Sequence, residues 1–289
     1  MKILVTGGNG QLAHEFKKFS YAIVVDKENL DITCADSIKK NFGKYLPDLI
    51  INTSSYTKVD LAENDHDSAF AVNANGAGLL AAICNENNIP LIHISTDYVF
   101  SGNSKTPYKE EDKASPINIY GLSKYRGEEL IKKNMHKYII LRVSGVFGKH
   151  GNNFVKTILK AANERDILNV VDDQTISPTP AKDIADAVIT IAKFILDRKI
   201  IFNNWGIYHY AAQEKISWYD FACQIIEYAK KYQKIKVKKI NAISSEEFNT
   251  KAMRPKYSTL ECEKIYSIFH ILQKSYKETL ENLIEEFYL

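Results

Sequence analysis

Short apolar runs separated by polar, helix-spaced stretches repeat along the first half of the chain. Lys2 to Thr6, Tyr21 to Val25, Leu49 to Asn52, Pro90 to Ser95 and Tyr138 to Val143 are continuous enough in aliphatic residues to predict strands buried on both faces. Between them, Leu12, Phe16 and Phe19 recur at helical spacing, and further helices are predicted over 37–45, 68–87 and 120–133. Strand and helix in alternation predict a doubly wound α/β fold with a parallel sheet. The second half is less regular. Residues 145–182 carry Pro178, Pro180 and several loop signals and are expected to cross between lobes, and 183–196 to return as a helix onto the sheet. Trp218, Tyr219 and Phe221 open another amphipathic helix and read as core, His209 between two tyrosines reads as packing, and 278–287 reads as a closing helix.

The polar residues that interrupt this pattern collect at the predicted strand ends, where ligands bind in such sheets. The first strand runs into Gly7-x-x-Gly10-x-x-Ala13 and then a helix with Gln11 and Leu12 in its first turn. Glycine there allows a tight turn and close approach to a pyrophosphate, which the helix amides then face. The second strand ends at Asp26, a position that commonly binds adenosine ribose hydroxyls, and Lys27 beside it could pair with a 2′-phosphate instead. NADH and NADPH therefore both stay open. Asp31 and Ile32 would flank the adenine, and the hydroxyl-rich loop Thr53-Ser54-Ser55-Tyr56-Thr57 would accept the nicotinamide half.

The fourth strand closes in Ser95-Thr96-Asp97, and a helix opening on Tyr120-x-x-x-Lys124 follows. Tyr120 and Lys124 share a helix face. A ketone that accepts hydride becomes an alkoxide, which a positioned donor can protonate. Free tyrosine, with a pKa of about 10, releases its proton reluctantly, and an adjacent ammonium would lower that value. Thr96 would hold the substrate oxygen, Tyr120 would give the proton, and Lys124 would tune Tyr120 and reach a ribose hydroxyl. Tyr232 and Lys236 repeat the spacing by accident, in a basic stretch with no hydroxyl-bearing strand end before it.

Composition narrows the class. The chain has 289 residues and a net charge of only +3, spread along its length, which gives no case for nucleic acid or an anionic membrane. Met1-Lys2 leads into a core strand, not a signal peptide, and no apolar stretch is long enough to span a bilayer. The 4 cysteines lack metal-ligand spacing, so reduced thiols in the cytoplasm are expected. A large dinucleotide-binding domain over 1–145 is predicted, joined by about 183–207 to a smaller C-terminal lobe formed by 146–182 and 208–289.

These residues fall into a recognisable set. Gly7-Gly8-Asn9-Gly10-Gln11-Leu12, Leu30-Asp31-Ile32, Tyr56-Thr57-Lys58-Val59-Asp60, Val72-Asn73-Ala74, Ser95-Thr96-Asp97-Tyr98-Val99-Phe100, Tyr120-Gly121-x-Ser123-Lys124, Gly151-Asn152-Asn153-Phe154, Asp173-Gln174 with Pro178-Thr179, and Arg254-Pro255 stand in the order seen in one family. The chain resembles the dTDP-4-dehydrorhamnose reductases, extended short-chain dehydrogenase/reductases. The resemblance implies NADPH- or NADH-dependent reduction of the 4-keto group of a dTDP-4-dehydro-6-deoxy-L-hexose, in polysaccharide precursor biosynthesis. It implies Tyr120, Lys124 and Thr96 as catalytic residues. It also implies Gly7, Gly10, Gln11, Leu12, Asp26, Lys27, Asp31, Ile32, Ser55, Tyr56 and Thr57 at the cofactor. Thr96, Asp97, Asn153, Gln174 and Arg254 would contact the nucleotide sugar, which the C-terminal lobe would bind, and the partner expected for the chain is a second copy in a homodimer.

Three departures qualify the match. Ser144-Gly145 replaces the family's usual Ser-Trp, so an indole over the deoxysugar is missing, and Thr53-Ser54-Ser55 replaces a run of alanines. Some members hold Mg²⁺ between subunits, for which Glu15 and Glu285 or Glu286 are available. Lys182, however, stands where another carboxylate is expected, and no metal site is predicted. Related dehydratases place a second acid after Asp97, where this chain has Tyr98. A 4-epimerase, another nucleotide-sugar reductase and a non-catalytic subunit similar to that of methionine adenosyltransferase are the alternatives.

Overall fold

The computed structural model describes residues 1–197, 199 and 201–288. In chain order the first half is β1 (Ile3–Thr6), α1 (Gln11–Phe16), β2 (Ala22–Val24), α2 (Ala35–Tyr45), β3 (Leu49–Asn52), α3 (Val59–Ala62), α4 (His66–Phe70), a π-helical turn (Ala71–Gly76), α5 (Ala77–Glu86), β4 (Leu91–Thr96), α6 (Ile119–Asn134) and β5 (Tyr138–Val143). The second half follows as β6 (Val146–Phe147), α7 (Phe154–Glu164), β7 (Ile167–Val171), β8 (Thr175–Ile176), β9 (Thr179–Pro180), α8 (Ala181–Leu196), β10 (Gly206–Tyr210), β11 (Ile216–Ser217), α9 (Trp218–Ala229), β12 (Lys239–Ile243), α10 (Ser245–Phe248), α11 (Glu263–Phe269) and α12 (Lys277–Tyr288).

The apolar runs assemble as predicted into one parallel sheet in the order β10-β5-β4-β3-β1-β2. The chain steps one way from β1 to β2 and the other way to β3, which opens a crevice at the carboxyl ends of β1 and β3. Both faces are covered. Phe16, Ile184, Val188 and Phe269 pack on one side, and Ile38, Phe42, Leu80 and Ile131 on the other. A separate core joins Val155 and Ile158 of α7 to Phe221 and Ile225 of α9 and Leu280 and Ile284 of α12.

Two predicted segments differ from what is found. The helix expected over 68–87 is broken by the π turn, against which α6 packs at Gly127. A Cβ there would fall 2.1 Å from the Asn73 carbonyl oxygen. The supposed loop region 145–182 contains α7, whose buried Val155, Ile158, Leu159 and Ala162 follow helical spacing, and β7, paired in parallel with β12. His209 packs as expected, fully buried with its ring edge-on to Phe100.

Candidate active site

A cleft of about 780 Å³ lies along the carboxyl ends of β1, β3, β4 and β5. Its cofactor side is shaped by backbone. Gly7 has φ +79°, and a Cβ there would stand 2.8 Å from the Ser54 nitrogen, so only glycine lets the β1 turn meet the loop after β3. Gly10 N donates to Gly7 O at 2.8 Å, closing the turn that starts α1. Gly7, Gly10, Gln11, Leu12, Lys27, Asp31, Ile32, Ser55, Tyr56 and Thr57 all line the cleft. Asp26 is absent from this lining. Its Oδ1 accepts from Asn29 N at 3.0 Å and Asn29 Nδ2 at 2.8 Å, a local turn that engages the carboxylate.

Asn73, given no role in the sequence reading, organises the loop after β3. Its Oδ1 accepts from Tyr56 N at 2.8 Å and Ser55 Oγ at 2.9 Å, while Nδ2 donates to Tyr56 O and Ser123 Oγ, each at 3.0 Å. One fully buried amide thus ties the loop to α6. Asparagine inside an apolar helix was the available signal.

Thr96, Asp97, Tyr120 and Lys124 converge on the same cleft. Asn118 caps α6 by accepting from Gly121 N at 2.7 Å, which fixes the helix start that carries Tyr120. Burial pushes the Tyr120 phenol up to about 12; the Thr96 and Ser55 hydroxyls oppose the rise and Asp97 adds to it. The expected lowering by Lys124 is therefore not found. Lys124 is itself buried and donates to Ile94 O at 2.6 Å, and burial brings its amine down to about 8 while Glu128 pulls it up. Asp97 accepts from Thr96 Oγ1 at 3.0 Å and Ser144 Oγ at 2.9 Å, and burial raises it to about 6.

The remaining substrate-side candidates lie outside the cleft lining. Arg254 pairs with Asp60, Nη2 to Oδ2 at 2.6 Å and Nη1 to Oδ1 at 3.2 Å, so a carboxylate already meets its guanidinium. Asn153 caps α7, accepting from Lys156 N at 3.2 Å and donating to Gly148 O at 2.7 Å. Gln174 is buried beside β8. Trp218 packs against the second core as expected and also lines the cleft, with its ring 4.4 Å from that of Phe154. Gly145 has φ +56°, and a Cβ there would stand 2.9 Å from Ser177 O, so the backbone leaves no room for the indole found elsewhere. Of the glutamates considered for Mg²⁺, Glu286 pairs with Lys149 at 3.2 Å, and among the described residues no three His, Cys, Asp or Glu side chains form a ligand set.

A glycine turn at the switch point of a parallel sheet, facing a threonine and a Tyr-x-x-x-Lys helix across one cleft, defines a dinucleotide-dependent short-chain dehydrogenase/reductase. The family model described as RmlD substrate binding domain matches residues 1–289. The dTDP-4-dehydrorhamnose reductase of Aggregatibacter actinomycetemcomitans is 39% identical over 98% of each chain. A dTDP-4-dehydrorhamnose reductase structure from Clostridium acetobutylicum superposes with a TM-score of 0.91 at 35% identity, covering 100% of both chains. That of Bacillus anthracis, solved in complex with NADP, gives 0.88 at 38% identity over 99% of this chain and 100% of the other. The chain belongs to the dTDP-4-dehydrorhamnose reductase family.

Proposed function

We propose that the protein reduces the 4-keto group of dTDP-4-dehydrorhamnose to give dTDP-L-rhamnose, with NADPH as the preferred reductant. The observation that carries this reading is the convergence of Thr96, Tyr120 and Lys124 with the Gly7 turn in one cleft. The Gly7–Ser54 approach is the close backbone cradle a dinucleotide needs, and Gly7, Gly10, Gln11 and Leu12 would hold its pyrophosphate side. When bound, the reduced nicotinamide supplies hydride to the carbonyl carbon. Thr96 orients the carbonyl oxygen, and Tyr120 gives its proton to that oxygen as negative charge develops, leaving a phenolate that solvent reprotonates, with Lys124, once it carries a proton, as the cation of the site. The preference for NADPH is supported by Lys27, which lines the cleft while Asp26 is engaged by Asn29.

The nucleotide sugar is assigned to the side of the cleft formed by Phe154, Ile176 and Trp218, beside the second core. Asn153, Gln174 and Arg254 are assigned there as supporting residues that hold the walls, with Arg254 acting through Asp60. A cytoplasmic location is supported by four free cysteines, and among the described residues no helix is long and apolar enough to cross a membrane. The test mixes purified protein with each reduced cofactor and a panel of 4-keto-6-deoxy nucleotide sugars, following nicotinamide absorbance and product configuration. Stoichiometric oxidation of NADPH with dTDP-4-dehydrorhamnose is expected. No oxidation with any member of the panel would overturn the assignment.

A further inference from the structure

A chain of buried polar groups runs beneath the catalytic residues from the cofactor loop to Lys124. Thr6, Asn52 and His93 are fully buried and Lys124 nearly so. Ser54 N can only donate, and it stands 3.1 Å from Asn52 Oδ1, which also accepts from Thr6 Oγ1 at 2.7 Å. These two donors fix the amide, so Asn52 Nδ2 is the atom facing His93 Nδ1 at 3.0 Å. A ring nitrogen opposite an amide NH₂ must accept, and neutral His93 therefore carries its hydrogen on Nε2.

That Nε2 lies 3.3 Å from Lys124 Nζ, which also contacts Ile94 O at 2.6 Å. A neutral amine satisfies both neighbours, giving one hydrogen to the carbonyl and accepting from Nε2–H with its lone pair. An ammonium has no lone pair. It would set donor against donor, and His93 could become an acceptor only by moving its hydrogen to Nδ1, against the Asn52 NH₂. Resting on the reductase reading of the cleft, we propose that His93 is a positioning residue that, locked by Asn52, favours the uncharged amine of Lys124 and so eases loss of its proton, until a ligand in the cleft offers new acceptors to its hydrogens.

The surrounding charges agree with this. From its own helix Lys124 faces Glu128, which favours the ammonium, but both Glu128 oxygens are engaged, by Arg142 of β5 and Ser95 of β4. Tyr120 shares its helix face, and Asp97 lies just past the end of β4. Burial holds His93 well below the ordinary imidazole range, so the ring is neutral.

Long-range proton–nitrogen spectra of histidine-labelled protein at about pH 9, above the Lys124 transition, should show His93 with a bare Nδ1 and a protonated Nε2. Carbon spectra of labelled lysine should show Lys124 losing its charge near pH 8. In His93→Leu that transition should rise by about one pH unit, a tenfold gain in proton affinity. Asn52→Asp, which offers Nδ1 an acceptor, should reverse the tautomer and move Lys124 the same way. A wild-type His93 protonated on Nδ1, or an unchanged Lys124 transition in a folded variant, would overturn the proposal. Should neither variant fold, the wild-type tautomer alone decides. Neither spectrum involves turnover, so the expected tautomer in a protein that reduces no keto sugar would sink the reductase reading and support the His93 assignment.

Discussion

Arg142 and Glu128 meet out of reach of solvent, Nη2 to Oε2 at 2.6 Å and Nε to Oε1 at 2.9 Å, joining β5 to the helix that carries Tyr120 and Lys124. Ser95 Oγ donates to the same carboxylate at 2.5 Å, one residue before Thr96. The strand end at Thr96 and the helix bearing Tyr120 and Lys124 are therefore pinned to one buried ion pair. Removing one partner strands the other charge in a low-dielectric core, which typically costs about 3–5 kcal/mol. Glu128→Ala and Arg142→Ala should each lose stability of that order in urea unfolding. The double replacement Glu128→Met, Arg142→Met should recover much of it. Single-variant losses below about 1 kcal/mol would show that the pair does not bear on stability.

Tyr120→Phe removes the proposed proton donor and leaves the Gly7 turn and the Asn73 bonds to Ser55 and Tyr56 in place. Turnover with a 4-keto nucleotide sugar should fall by roughly a hundred- to ten-thousandfold. The dissociation constant for NADPH, read by fluorescence quenching, should stay within about twofold, equivalent to less than about 0.5 kcal/mol. Retained turnover would remove Tyr120 from the mechanism.

The first half of the fold was legible because buried parallel strands are unambiguous apolar runs and the glycine turn sits at the end of one. The group of Thr96, Tyr120 and Lys124 was legible because Thr96 closes a strand and Tyr120 and Lys124 stand one turn apart at the start of the next long helix. Asn73 and His93 were not assigned roles, because a single polar residue in an apolar segment does not reveal its partner. Asn73 meets Ser123 across 50 positions, and His93 meets Asn52 across 41. Arg254 reads from sequence as a nucleotide-sugar contact because its charge is visible and its pairing with Asp60, 194 positions away, is not. Trp218 reads from sequence only as core because amphipathic spacing shows that a helix is half-buried but not which residue at its start borders a cleft.

Burial lifts the Asp97 carboxyl to about 6, against hydrogen bonds from Ser144 and Thr96 that pull it down. An unfolded aspartate titrates near 4, so the native state binds the proton more tightly. The stability this contributes is complete below about pH 4 and is lost as pH rises through about 6; the charged form then costs the fold up to about 3 kcal/mol. Asp97→Asn, which cannot ionise, should gain on the wild type between about pH 4 and pH 7 by up to that amount. Denaturant unfolding across this range supplies the comparison. A difference between the two proteins that does not change with pH would contradict the assigned cause.

Two helical glycines separate intrinsic propensity from packing. Alanine normally stabilises a helix interior by about 1 kcal/mol over glycine. At Gly43 in α2 a Cβ would meet nothing within 4 Å, and Gly43→Ala should deliver much of that gain. At Gly127 the Cβ would fall 2.1 Å from the Asn73 carbonyl oxygen, which is backbone and cannot swing aside. Relief requires α6 to move off the π turn, and that movement draws Ser123 away from Asn73 and loosens the loop holding Tyr56. Gly127→Ala should therefore lose stability despite the better helix former, and its affinity for NADPH should weaken although residue 127 is not among those lining the cleft. If thermal unfolding showed both substitutions raising the midpoint, the close approach of α6 to the π turn would not be the constraint that places this loop.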